Sequence, residues 1–133
     1  MTEDDFQPRR HKKIFAKDEG EYVDFEETDS TETLKEKYYT SLKTLDNCDS
    51  ILALTDLAGG SPFKTLVEVK TEIEKPMEVI GGTNLPMALE ISMTKDILDD
   101  LSSLVESALE VGKSGVVKFE FIIHEDVELE DGI

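Results

Sequence analysis

The segment that decides the fold is ILALTDLAGGSPF, residues 51–63. Its first four residues form a continuous apolar run, which predicts a strand buried on both faces of a parallel sheet. Asp56 follows that strand, and Gly59-Gly60 allow the backbone to turn tightly. Ser61 before Pro62 predicts a helix that begins with Ser61 as its cap. The segment therefore brings a carboxylate and the free N–H groups of a helix to one edge of a sheet, which is a candidate anion site.

The same order of strand, glycine turn and capped helix start recurs in MEVIGGTNLPM, residues 77–87. Met77, Val79 and Ile80 around Glu78 predict a second strand, and the glycines after it stop that strand. Asn84 and Pro86 then predict another capped helix start. Because the carboxyl ends of parallel strands share one sheet edge, Asn84 and Pro86 are expected to form the opposite wall of the site. A helix start that only packs is the alternative for each segment.

Other periodic segments predict the rest of an α/β fold. Asp29 and Glu32 have the spacing of a capping box that opens a helix. Apolar residues at helical spacing follow it, at Leu34, Tyr38, Leu42 and Leu45. A long amphipathic helix is predicted from Ile97 to Gly112 or Gly115, and short strands at Tyr22–Phe25 and Val116–Ile123. Alternation of strand and helix predicts a doubly wound parallel sheet in which the last strand is an edge strand.

Composition excludes several classes of function. The chain has 133 residues with 31 Asp and Glu against 14 Lys and Arg, a formal net charge of −17. Such a surface lacks the cationic footprint that nucleic acid requires and is repelled by anionic lipid. The one cysteine, Cys48, cannot form an intrachain disulfide, and no apolar segment of about 20 residues is present. We expect a cytoplasmic protein that binds neither nucleic acid nor a membrane surface.

The charge pattern also predicts the domain organisation. Residues 1–13 have no usable hydrophobic period and are expected to be disordered. Residues 14–123 are expected to form the domain, and residues 124–133 an acidic tail.

Asp56 constrains what the anion site can do. A phosphate at the helix start would be repelled by Asp56 unless a cation stood between them. A metal ion would serve, and so would a histidine whose charge and orientation Asp56 fixes. Both possibilities remain open from the residues alone.

At these two segments the sequence resembles a known family. TDLAGGSPF and EVIGGTNLPM, at residues 55–63 and 78–87, resemble the IIA component of the mannose family of the bacterial phosphoenolpyruvate-dependent sugar phosphotransferase system. The likeness extends from about Tyr22 to Ile123, and the acidic ending EDGI resembles the N-acetylgalactosamine-type branch. The resemblance implies a mannose-type IIA domain.

That resemblance implies a phosphoryl carrier. In the family a histidine receives phosphate from the phosphocarrier protein HPr and passes it to the IIB component, which phosphorylates sugar entering through membrane permease subunits. By this likeness Asp56 would orient the imidazole, and Gly59, Gly60 and Ser61 would hold the phosphoryl oxygens. No nucleotide, metal or other cofactor is implied.

The sequence departs from the family pattern near its start. The family's acceptor histidine stands in a His-Gly turn after an apolar first strand, and neither feature occurs here. Ile14-Phe15-Ala16 resembles the end of the helix that follows that turn. His11 lies in a basic segment and His124 in the acidic tail, so neither is assigned as the acceptor. We expect a domain that lacks its first, central strand and forms a homodimer through its last strand.

Two other functions compete with the carrier. The chain can instead be an inactive paralogue that only binds HPr or IIB. A receiver domain phosphorylated on Asp56 itself would need neighbouring carboxylates for Mg²⁺, and no acidic pair precedes Asp56 in the expected place.

Overall fold

A computed structural model describes residues 20–26 and 28–122 of the chain. The described residues form six elements, which are α1 (Thr31–Thr44), β1 (Ile51–Leu54), α2 (Ser61–Glu72), β2 (Met77–Ile80), α3 (Leu85–Thr94) and α4 (Leu101–Ser114). The two strands pair in parallel, with Ile51 opposite Met77 and Leu54 opposite Ile80. The predicted α/β fold with a parallel sheet is confirmed, and both strands span the residues that the sequence predicted.

Two hydrophobic clusters cover the two faces of this small sheet. The first cluster joins Ile51 and Met77 to side chains of α1 and α2, among them Leu34 and Val69, which are 1% and 0% exposed. The second joins Ile80 to buried side chains of α3 and α4, with Leu52 packed against it. Because side chains alternate between the faces of a strand, each strand contributes to both clusters. Helices on both faces are the arrangement expected of a doubly wound sheet.

Two predicted caps are wrong by one residue. The cap of α1 is Ser30, whose Oγ accepts a hydrogen bond of 3.1 Å from the N–H of Thr33. Asp29 is instead held by the backbone N–H of Glu26 and by an ion pair of 2.9 Å with Lys37, and these contacts lower the pKa of its carboxyl group. The cap of α2 is Gly60 rather than Ser61.

Two predicted strands are also absent from the described residues. Tyr22–Phe25 and residues 116–122 are irregular, and no backbone hydrogen bond pairs either segment with β1 or β2. The last segment is fully open to solvent, since Phe119 is 82% and Phe121 is 77% exposed. Alternation of apolar and polar side chains favours a strand, but a strand forms only where a neighbouring strand pairs with its backbone N–H and C=O groups.

The long helix is shorter than predicted. Ile97 precedes it in a turn, α4 begins at Leu101, and Gly115 is its C-cap. The predicted disordered segment 1–13, the acidic tail 124–133 and the departure from the family pattern before Ile14 all lie outside the described residues.

Candidate functional site

The loops that follow β1 and β2 lie side by side at the carboxyl edge of the sheet. The N–H of Thr83 donates to the carbonyl of Thr55 at 3.0 Å, and the N–H of Thr55 donates to Ile80 at 2.8 Å. Gly81 is required by this contact, because a Cβ there would lie 2.6 Å from the Cα of Ala58. The two sequence segments that resembled the family are therefore in direct contact.

The first loop turns into α2 through its two glycines. Gly59 has a φ of +86°, which L-residues with a side chain rarely adopt, and the N–H of Gly60 closes a turn onto Leu57 at 3.3 Å. Gly60 then adopts an extended conformation and ends the loop, so Ser61 is the first helical residue and Pro62 the second. The helix starts one residue earlier than a Ser61 cap would allow.

Two backbone N–H groups at the start of α2 are unpaired within the described residues. The N–H groups of Ser61 and Phe63 have no acceptor within the described residues, and Pro62 has no N–H. The first turn contains no acidic residue that could occupy these donors. Free N–H groups at the positive end of a helix dipole favour an anion.

Asp56 and Ser61 lie on the surface of this loop. Both residues are exposed, and the Asp56 carboxylate has no ion-pair or hydrogen-bond partner in the part of the chain that the structure describes. A carboxylate in this state is available to an incoming cationic or hydrogen-bonding group. It can accept the N–H of an imidazole, as predicted, but its solvent exposure also leaves it open to a partner protein.

A side chain of α1 holds the first turn of α2 in place. Tyr38 is 6% exposed, and its hydroxyl donates to the carbonyl of Pro62 at 3.3 Å. Burial raises the pKa of Tyr38 to about 12, with a smaller contribution from the charge of Asp29. The hydroxyl therefore remains a neutral donor at physiological pH, which holds the loop end in one position.

The second loop is braced by the end of α4. Asn84 caps α3, because its Oδ1 accepts from the N–H of Met87 at 3.1 Å, and its Nδ2 donates to the carbonyl of Gly112 at 2.8 Å. Gly115 packs against Pro86, since a Cβ on that glycine would lie 2.7 Å from the Pro86 ring. Both polar atoms of Asn84 are thus engaged in holding the wall together.

Two features of the site were missed by sequence reasoning. The first feature is the close approach of α4 to α3, which Gly112 in α4 and its C-cap Gly115 allow. The presence of these two glycines near the predicted helix end was the signal from which this contact could have been predicted. The second feature is Thr83, whose Oγ1 is buried and has no hydrogen-bond partner within the described residues. No local pattern distinguishes such a hydroxyl from a paired one.

The predicted residues therefore divide into two groups. Asp56, Gly59, Gly60 and Ser61 lie on one loop, and Asn84 and Pro86 lie on the neighbouring one. His11 and His124 are outside the described residues. The structure also places no cluster of three or more His, Cys, Asp or Glu side chains suited to a metal ion in its described part, nor any helix there that is long and apolar enough to cross a membrane.

Comparison with known proteins connects these loops to one family. A family model described as "PTS system fructose IIA component" matches residues 10–109. The chain is 39% identical over 95 residues to the mannose-specific EIIAB component of the phosphotransferase system of Escherichia coli strain K12. It is 30% identical over 95 residues to the fructose-specific EIIA component of Bacillus subtilis strain 168.

Coverage differs between these relatives. The matched region is 71% of this chain but only 29% of the E. coli protein, and 67% of this chain and 64% of the B. subtilis protein. The crystal structure of phosphotransferase system component EIIA from Streptococcus agalactiae is similar with a TM-score of 0.61 and 24% identity, over 69% of each chain. This last similarity concerns the fold alone.

Proposed function

The chain belongs to the mannose- and fructose-type IIA family of the sugar phosphotransferase system, and on this premise we propose that it is a phosphoryl-relay component of sugar uptake. The observation that carries the proposal is the direct contact of the two loops after β1 and β2. The first loop carries an exposed carboxylate and a helix N-terminus, and the second loop, which touches it, carries the braced wall, and this supports the proposal.

Each part of the site has a task in this relay. The Asp56 carboxylate accepts the N–H of a histidine and keeps its other nitrogen free to receive the phosphoryl group. The N–H groups of Ser61 and Phe63, with the Ser61 hydroxyl, stabilise charge on the phosphoryl oxygens. Gly59 and Gly60 allow the backbone to come close to those oxygens. Transfer breaks the phosphorus–nitrogen bond of the donor as that of the acceptor forms, so the protein chiefly positions the groups in line.

We propose HPr as the donor and IIB as the recipient, with permease subunits engaged only indirectly. The cytoplasm is the compartment in which such a relay operates. We propose the N-acetylgalactosamine-type branch of the family for this chain, because its acidic ending EDGI resembles that branch. Residues 14–123 are proposed as the domain, with residues 1–13 and 124–133 as its appendages.

A homodimer is proposed for the working protein. Support comes from residues 116–122, where Val117, Phe119 and Phe121 are all at least 77% exposed, with Lys118 and Glu120 between them. An exposed segment rich in apolar side chains, without a strand partner in the described sheet, gains by pairing with a second chain. Light scattering on the full chain tests this, and a monomer at high micromolar concentration would contradict it.

The relay is tested with labelled phosphoenolpyruvate, enzyme I, HPr and IIB. We expect acid-labile label on the full chain and then on IIB, and Asp56→Asn should slow IIB labelling by about 100-fold, as for loss of one preorganised electrostatic group. Asp46→Asn is the matched control, since it removes an exposed carboxylate from the loop before β1, at the other edge of the sheet. This control should leave the rate unchanged.

Histidine variants locate the acceptor. Neither of the two histidines of the chain is assigned as the acceptor, so His11→Asn and His124→Asn test each one separately, and loss of label in one variant would identify it. A wild-type chain that binds HPr or IIB but takes up no label would overturn the relay and leave the binding-only function in its place.

A further inference from the structure

The two histidines of the chain differ in what precedes them. Neither lies among the described residues 20–26 and 28–122. His11 stands in a basic segment, whereas His124 directly follows VVKFEFII at residues 116–123, a segment with the alternation of a strand. A strand formed by this segment would end at His124, in the way that β1 ends just before Asp56.

One side of β1 can receive such a strand. Ile51 and Thr55 direct their N–H groups towards β2, and that of Thr55 meets the carbonyl of Ile80 at 2.8 Å. Because backbone groups alternate along a strand, those of Leu52 and Leu54 point to the other side. No strand pairs with that side in the described part of the chain, and Leu54 is 37% exposed. We call this side the open edge of β1, and it is a template for a further strand.

Residues 116–122 are available to supply that strand. The segment has no backbone hydrogen bond to β1 or β2, and Phe119 and Phe121 are 82% and 77% exposed. These two rings would lie on one face of the extended segment. The described part of the molecule therefore holds both an unpaired strand edge and an unpaired segment with the pattern of a strand.

The direction of pairing decides which copy of the chain supplies the strand. A residue that follows the strand lies beside Asp56 only if the strand runs parallel to β1. Helix α4 ends with Gly115 against Pro86, at the same sheet edge as Asp56. Residues 116–123 span about 26 Å when extended, so a strand that begins there and pairs with its own sheet runs antiparallel and carries His124 to the opposite edge. The segment of a second copy is free of this constraint.

We infer that residues 116–123 of a second copy pair in parallel with the open edge of β1, and that His124 of that copy is the phosphoryl acceptor beside Asp56. This inference deepens the proposed relay and homodimer, and it rests on both. Reciprocal exchange about a twofold axis gives two sites in each dimer, and each site is built from both chains.

The transfer balances with the donor's phosphohistidine as the only other reactant. One ring nitrogen of His124 attacks the phosphorus, and its new P–N bond forms as the donor's P–N bond breaks. The electron pair of the broken bond stays on the donor imidazole. The second ring nitrogen of His124 keeps its proton and donates a hydrogen bond to Asp56, which orients the attacking nitrogen.

Mixed chains test whether the two residues act from different copies. Asp56→Asn and His124→Asn chains are mixed in equal amounts in 300 mM salt, which screens the repulsion between two chains of charge −17. About half of the dimers then contain one chain of each kind, so about one quarter of the sites have both Asp56 and His124. Label from phosphoenolpyruvate, enzyme I and HPr should appear at early times on that quarter, and only on the Asp56→Asn chain.

The matched control removes the complementation but keeps the mixing. Asp56→Asn chains are mixed with chains that carry both Asp56→Asn and His124→Asn, and no site in this mixture has both groups. Early label should stay at the low value of the Asp56→Asn chain alone. His11→Asn should be labelled like the parent chain.

Disulfide trapping tests the same contact without any phosphate. Chains with Asp56→Cys and chains with His124→Cys, both in a Cys48→Ser background, are mixed and mildly oxidised. A disulfide between the two kinds of chain should form about 10-fold faster than with Asp46→Cys in place of Asp56→Cys, because only neighbouring residues satisfy disulfide geometry. Asp46 is the control because it lies in the loop at the other end of β1.

A proline tests the strand itself. Phe121→Pro removes a backbone N–H from a segment that is exposed in the described structure, so it should prevent pairing without affecting the fold of one chain. Light scattering should show a monomer for Phe121→Pro at concentrations where Glu130→Pro, a control in the acidic tail, gives a dimer.

The results that overturn the inference differ from those that overturn the relay. If the wild-type chain is labelled but mixed chains show no restored label, or if His11→Asn abolishes label, the inference falls and the relay stands. A dimer that forms without the Asp56–His124 disulfide would mean that the last segment pairs elsewhere, and this also overturns the inference. Disulfide trapping with no label on the wild-type chain would remove the relay and, with it, the acceptor role of His124.

Discussion

At the scale of single residues, Thr83 and Thr55 form a natural pair for comparison. The Thr83 Oγ1 is buried without a partner in the described part of the chain, whereas the Thr55 Oγ1 donates to the carbonyl of Ile80 at 3.2 Å. Replacing an unpaired buried hydroxyl with a methyl group removes a desolvation penalty, so Thr83→Val should raise the free energy of unfolding by about 1 kcal/mol. Thr55→Val removes a hydrogen bond and should lower it by about the same amount.

Urea denaturation of both variants measures this difference. The slopes of the two transitions should match that of the parent chain, since neither change alters the surface exposed on unfolding to any extent. A Thr83→Val chain that is less stable than the parent would show that a water molecule satisfies the hydroxyl in solution.

At the scale of elements, Asn84 joins α3 to α4. Asn84→Ala removes both the cap of α3 and the hydrogen bond to the Gly112 carbonyl. It should lower the free energy of unfolding by about 2 kcal/mol, because the cap and the second hydrogen bond each contribute about 1 kcal/mol. Asn84→Asp separates the two, because a carboxylate still caps the helix but cannot donate to a carbonyl. Asn84→Asp should therefore lower the free energy of unfolding by less than Asn84→Ala does. Equal decreases in the two variants would contradict the bridging role of Asn84.

The elements also show how far sequence reasoning reaches. The strands at 51–54 and 77–80 could be predicted because each is a short, mainly apolar segment with a loop signal directly after it. The start of α1 was misplaced because Asp29 and Ser30 are both good caps, and the choice between them is made by Lys37, a contact eight residues away that local spacing does not reveal. Residues 116–122 alternate like a strand but lack a neighbour in the described sheet.

The same limit applies to the candidate site. Asp56 and the glycine turn follow from the order of residues, because a strand end, a turn and a helix start are each locally encoded. The bracing of Asn84 by Gly112 and the anchoring of Pro62 by Tyr38 are tertiary contacts over 28 and 24 residues. The relative position of the loops after β1 and β2 is therefore decided by tertiary packing, which neither sequence segment reveals by itself.

At the scale of the whole molecule, charge is the dominant feature. The chain carries 17 more negative than positive charges, and its described ion pairs are mostly at the surface. Surface pairs contribute little to stability, whereas excess charge of one sign repels itself and destabilises the compact state. Repulsion between distant like charges is screened by salt more than the attraction within close ion pairs is. Among the electrostatic contributions to stability, it is therefore the most sensitive to ionic strength.

We therefore expect salt to stabilise this protein. Raising sodium chloride from 20 to 300 mM should increase the melting temperature by several degrees, because the Debye length falls from roughly 20 Å to roughly 6 Å and like charges are screened more than close pairs. The rise should level off above that concentration, which calorimetric scans at five or six salt concentrations would detect. A rise that continued in proportion to salt would indicate exclusion of ions from apolar surface instead. A fall would mean that pairs such as Lys37 with Asp29, whose carboxylate is only 9% exposed, outweigh the repulsion of the whole chain.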